Sequence, residues 1–136
     1  MSEFYSPPYE ELLQLSINTL SVYVENKVAP ILRSESGGRS GLIVAADGAI
    51  NLSLGFMDRV IDGRIVTIPT IFNIQLGPKI NSGHGSTIVN LWEQSLPSFE
   101  VFGADSVTNL KFWTRMGYKP FDGSFWLKRK VSEYRI

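Results

Sequence analysis

Cysteine is absent from the 136 residues, and histidine occurs once, at His84. The first absence removes disulfides, thiolate nucleophiles and cysteine-based zinc sites together, and it agrees with a reducing compartment. With a single histidine, a metal site would have to be built from carboxylates, and no cluster of them falls at ligand spacing, so no metal is expected. No apolar run approaches the roughly 20 residues needed to cross a bilayer. The first 14 residues have no basic segment leading into an apolar one and do not read as a secretory signal. The expectation is a cytoplasmic protein without membrane association. Net charge is zero, an unpromising balance for a protein whose main ligand is nucleic acid.

What is present reads as one domain. The length sits near the commonest domain size, and 43% apolar against 19% charged residues leaves no segment to be read as disordered. Charge is nevertheless uneven. Residues 111–136 hold seven basic and two acidic side chains, so the first 110 carry the balancing negative excess. Such an end attracts phosphates or an acidic partner, or forms an ordinary solvated surface.

Along the chain, Ser6-Pro7-Pro8 suits a helix start, and Leu13, Ile17, Leu20 and Val24 recur at helical spacing. The pattern predicts a helix over 8–26, with Glu10 and Glu11 where its dipole favours acid. Residues 34–38 read as a loop by composition. Strands are expected at 42–46 and 50–56 around the turn Asp47-Gly48, then after a turn at 58–63 a central strand at 65–74. Pro69 within that strand implies a bulge or a broken ladder. A helix follows over 83–95, a short strand over 99–103, and a helix capped by Asp105 or Ser106 and ended by Gly117. A hairpin around Asp122-Gly123 closes the chain. The aromatic residues Phe112, Trp113, Tyr118, Phe121, Phe125 and Trp126 are expected in the core rather than as a substrate cage.

The most informative junction joins the central strand to a helix through Asn81, Ser82, Gly83, His84, Gly85, Ser86 and Thr87. A glycine-containing turn opening a helix aims successive N–H groups at the positive end of the helix dipole, which suits a pyrophosphate. Taken alone the pattern is equally a flexible turn.

The order of elements, together with residues 103–118, resembles the GNAT superfamily of N-acetyltransferases. The latter stretch is similar to that family's N-x-x-A-x-x-F-Y-x-x-x-G-F segment, with Phe112, Gly117 and Tyr118 in register. Gly83 and Gly85 match its coenzyme A loop, whose Gln/Arg position is Ile80, with Lys79 one residue earlier. The likeness spans about residues 40–130. It implies an α+β fold: a mixed, mostly antiparallel sheet splayed between its fourth and fifth strands, helices on both faces, and a helical part over 1–36 in the same single domain. It implies acetyl-CoA as cofactor, held by the loop of residues 81–87 with its pyrophosphate at Ser82–Ser86, and pantetheine along Phe72, Asn73, Ile74 and Gln75, the segment equivalent to the bulge of the family's fourth strand. Asn109 and Trp113 would border the thioester.

Three departures bear on mechanism. The family's acidic tyrosine aligns with Trp113, whose indole donates a hydrogen bond but is no useful acid. Its helix-start Asn aligns with Ser106, and a glutamate base of one branch would fall at about Pro69. Ser106 and Glu100 are the polar residues expected nearest the chemistry, and His84 is expected to point to solvent as a bystander. The implied activity is acyl transfer from coenzyme A to a small-molecule or peptide amine. The alternative is a non-catalytic module of the same fold. Nucleic acid is permitted by the basic end and required by nothing, and a homodimer is compatible with either reading.

Overall fold

The computed structural model describes residues 9–77 and 82–130. The first helix, α1 (Tyr9–Lys27), buries Leu13, Ile17, Leu20 and Val24 at the expected spacing and exposes its acidic first turn. Its start signal, Ser6-Pro7-Pro8, lies outside the described residues. Four antiparallel strands follow: β1 (Ile31–Gly37), β2 (Ser40–Ala45), β3 (Ile50–Ile61) and β4 (Arg64–Gln75). Helix α2 (His84–Gln94), strand β5 (Val101–Ala104), the short helix α3 (Leu110–Arg115) and the hairpin β6 (Lys119–Asp122) and β7 (Phe125–Arg129) come next among the described residues. The sheet order is β1-β2-β3-β4-β5-β7-β6, and β4–β5 is its parallel pair.

Three expectations are corrected. Residues 34–38 are not a loop: 31–37 form an edge strand, polar because one flank and most of its side chains face solvent. The helical part therefore ends at Lys27. The turn expected at 58–63 shrinks to Asp62-Gly63, because β3 runs through Asp58, where Arg39 and Thr67 satisfy the carboxylate. Those bonds hold the Asp58 carboxyl below its ordinary value. The irregularity expected at Pro69 lies three residues on. Pro69 stands opposite Phe56 in unbroken register, and Phe56 sends its amide to the Arg39 carbonyl at 2.9 Å. The pair is thus a non-hydrogen-bonded one, and the missing proline donor costs that ladder nothing. Instead Leu54 pairs with Ile71 and Ser53 with Asn73, which leaves Phe72 as the extra residue of a bulge.

Helices α1, α2 and α3 send their core residues into one large cluster with Ile43, Leu52, Leu54, Ile71, Phe102 and Trp126 on the sheet. A smaller cluster of Ile61, Ile68, Phe125 and Leu127 is built from strand residues alone. Of the aromatic set, Trp113, Tyr118, Phe125 and Trp126 are buried and Phe112 is half-buried, whereas Phe121 is 42% exposed on the edge strand β6. No described helix is long and apolar enough to cross a membrane.

Candidate functional site

The β4–β5 ladder is short. Thr70 pairs with Gly103 and Ile71 with Ala104, and the Asp105 amide donates to the Ile71 carbonyl at 2.9 Å. Beyond that rung β4 continues through the Phe72 bulge to Gln75, while the other chain turns away at Ser106, whose φ is +55°. A non-glycine residue there carries a strain of about 1–2 kcal/mol. The two strands consequently part into a wedge, and a cleft of about 720 Å³ fills it. Its β4 wall is Ile71, Phe72, Asn73, Ile74, Gln75 and Leu76.

The open end of the wedge meets the start of α2. Gly83 caps the helix with φ +88°, a left-handed conformation that glycine adopts without strain. Nothing lies within 4 Å of where a side chain at Gly83 would project. The first-turn amides of His84, Gly85 and Ser86 have no carbonyl one turn back within the helix, and Gly83, Gly85 and Ser86 line the cleft. Gly85 is also a packing requirement: a Cβ there would come to 3.1 Å from the Phe112 ring and 3.4 Å from Leu76. Ser82 is exposed, and Thr87 folds its hydroxyl back onto the Gly83 carbonyl at 3.2 Å. Lys79, Ile80 and Asn81 lie outside the described residues. His84 does not face solvent as expected. Its Nδ1 lies 2.7 Å from the Tyr23 hydroxyl, edge-on to that ring, which ties α2 to α1.

The third wall is α3 with the segment before it. Its cap is Asn109, which accepts from the Phe112 amide at 3.1 Å, in place of the Asp105 or Ser106 expected from the sequence. Both of these line the cleft instead, as do Asn109 and Trp113. Glu100 does not: it is exposed, and its carbonyl accepts from the Lys130 amide. Four polar lining residues escaped the sequence reading: Asp105, Thr108, Lys111 and Arg115. The basic excess after residue 110 was the available signal for the last two. They stand one helical turn apart, with the Arg115 guanidinium over the Phe112 ring. The arrangement offers phosphate a helix start and two cations, and offers an extended apolar-and-amide arm the bulged edge of β4.

This architecture has counterparts among solved structures. The KacTA–DNA complex matches with a TM-score of 0.50 at 13% identity, over 69% of this chain and 70% of that one. A mutant of the AtaT toxin, bound to the C-terminus of the antitoxin AtaR, matches with a TM-score of 0.50 at 16% identity, over 88% and 80%. The chain has the fold of the GNAT-type acetyltransferases. No protein-family model and no curated protein matches the sequence.

Within this GNAT fold a buried polar cluster braces the α3 wall from beneath. Glu93 of α2, 4% exposed, accepts from the Tyr118 hydroxyl at 2.6 Å and from the Lys128 ammonium at 2.9 Å. Burial, then the adjacent Glu93 charge and hydrogen bond, push the Tyr118 hydroxyl far above its ordinary value. The Tyr118 ring packs edge-on against Trp113 at 4.9 Å, so the cluster fixes the indole that closes the cleft.

Proposed function

We propose that the protein is a cytoplasmic N-acetyltransferase that takes an acetyl or related acyl group from coenzyme A to an amine by direct attack in a ternary complex. The observation that carries this reading is the wedge between β4 and β5, with a glycine-capped helix start at its open end and a bulged residue on its wall. Acetyl-CoA, when bound, supplies an activated thioester. The donor set suits it: Gly83, Gly85 and Ser86 would hold the pyrophosphate, aided by Lys111 and Arg115. Phe72, Asn73, Ile74 and Gln75 would run beside the pantetheine, and Asn109 and Trp113 would border its reactive end. Backbone polar groups freed at the Phe72 bulge are the natural donors to a carbonyl oxygen, and their fixed position is what makes such a donor effective. Ser106, on its left-handed turn two residues past the last β4–β5 pair, adds a hydroxyl to the cleft wall. The acceptor is proposed to be a small molecule or a peptide.

A second reading, a module of this fold that binds without transferring, is favoured by Trp113, which leaves the wall without an acidic hydroxyl at that position. Calorimetric titration of acetyl-CoA into wild type and Gly85→Val tests the first reading. A Cβ there meets the Phe112 ring at 3.1 Å and Leu76 at 3.4 Å, and a valine's branches add bulk between two residues that line the cleft. Wild type should bind, and the folded variant should lose about a hundredfold or more in affinity, equivalent to about 2.7 kcal/mol. Equal affinity in the two proteins removes the cofactor assignment.

A further inference from the structure

Among the described residues none of α1 lines the cleft, yet α1 holds α2 at both ends. At the far end the buried Ser16 hydroxyl meets the Ser95 hydroxyl at 2.9 Å. At the near end the Tyr23 hydroxyl shares a hydrogen bond of 2.7 Å with His84 Nδ1, and the two rings lie edge-on with centroids 5.8 Å apart. His84 opens α2 between Gly83 and Gly85, and both glycines line the cleft. A glycine cap offers no capping side chain, and Gly83 has φ +88° with nothing within 4 Å of where a side chain would project. In the first turn Gly85 has no side chain either, Ser86 lines the cleft, and His84 turns back to α1. Backbone donors serve an anion best when they are fixed before it arrives, and that fixing falls to residues behind the ones that touch it.

We propose that Tyr23 is a positioning residue for the anion site at the start of α2: its hydroxyl holds the His84 ring, and through it the amides of residues 84–86, in place against a phosphate. The proposal rests on the reading of that turn as the phosphate site, and it adds that α1 sets the affinity from behind the cleft wall. The ring of Tyr23 and its hydroxyl have separable duties. Phenylalanine at position 23 keeps the edge-on packing and removes the hydrogen bond. Asparagine at position 84 carries an amide that both donates and accepts close to the place of Nδ1, so it serves either tautomer of the histidine, whereas alanine serves neither.

Calorimetric titration of acetyl-CoA, inorganic pyrophosphate and S-acetylpantetheine into wild type, Tyr23→Phe, His84→Ala and His84→Asn tests it. Tyr23→Phe should weaken acetyl-CoA and pyrophosphate about fivefold, the scale of one hydrogen bond. S-acetylpantetheine, which carries no pyrophosphate, should bind all four proteins alike. His84→Ala should lose about as much as Tyr23→Phe, and His84→Asn should recover most of the loss. The double variant Tyr23→Phe/His84→Ala should bind no more weakly than His84→Ala, as two residues acting as one unit require. Equal acetyl-CoA and pyrophosphate affinities in wild type and Tyr23→Phe overturn the proposal. An equal loss for S-acetylpantetheine overturns it too, since it marks a general loosening of the fold rather than a displaced anion site. If wild type binds pyrophosphate but not acetyl-CoA, and Tyr23→Phe weakens the former, the acyltransfer reading falls and the positioning role stands. Wild type that binds neither overturns both.

Discussion

The indole of Trp113 is 5% exposed and packs edge-on against Phe112 and Tyr118 at 5.1 and 4.9 Å, yet it also forms part of the cleft wall. Its size serves the core, and its one polar group, an N–H, has no acidity to offer a departing thiolate. Trp113→Tyr separates these two duties. The smaller ring leaves a partial void between Phe112 and Tyr118, and stability should fall by about 1–3 kcal/mol, read from urea denaturation. The new hydroxyl adds a proton donor at the wall, so coenzyme A release across an amine and peptide panel should be equal to wild type or higher. If acetyl-CoA binds and neither protein releases coenzyme A above hydrolysis, the binding-only reading becomes the better account. His84 makes the complementary point. Its ring is engaged by Tyr23 on α1, which ties the start of α2 to α1.

Among the elements, those with a strong internal pattern were legible in the sequence. The Leu13–Ile17–Leu20–Val24 spacing marked α1, the β-branched run at 65–74 marked β4, and the glycine turn that opens at Gly83 marked α2. The cleft's β4 wall and glycine turn were therefore readable, but much of its α3 wall was not. Strand β1 was hidden because an edge strand needs no apolar alternation, and α3 was drawn too long because Asp105 and Ser106 are good capping residues that the parting of β4 and β5 employs otherwise. The Glu93–Tyr118–Lys128 cluster was invisible, because no local signal joins positions 25 and 35 residues apart. Its consequence is an alkaline limit. Below about pH 10 the Tyr118 hydroxyl is protonated folded and unfolded alike, and its titration adds no slope. Above that, the unfolded chain releases the proton while the fold retains it, so stability falls by up to about 1.4 kcal/mol per pH unit. Tyr118→Phe should remove that share of the slope while costing about 1–3 kcal/mol at neutral pH, since Glu93 loses a donor. Urea melts of both proteins between about pH 8 and pH 11 check it; equal slopes would mean Tyr118 ionises freely in the fold.

For the whole molecule, the cleft lies between the β4–α2 junction on one side and α3 with the segment before it on the other, where β4 and β5 pair at two positions. A ligand spanning them adds its binding free energy to their cohesion, so acetyl-CoA should stabilise the entire fold, by about 2.7 kcal/mol at a hundred times its Kd. The charge distribution decides how much of that comes from the phosphates. Lys111 and Arg115 begin the basic portion of a chain whose first 110 residues are net negative, and they are the cations that line the cleft among the described residues. Exposed charges act over about 10 Å at 0.1 M salt and far less at higher ionic strength. The double variant Lys111→Gln/Arg115→Gln should therefore bind acetyl-CoA about tenfold more weakly at low salt, with a smaller rise in melting temperature, and should lose most of the salt dependence of binding. S-acetylpantetheine, which lacks the nucleotide phosphates, should bind wild type and variant alike. Calorimetry and thermal melts at about 50 and 300 mM salt read both quantities. An unchanged affinity for acetyl-CoA in the variant, with the same salt dependence, would place the phosphates away from α3 and leave the glycine turn of α2 as their sole support.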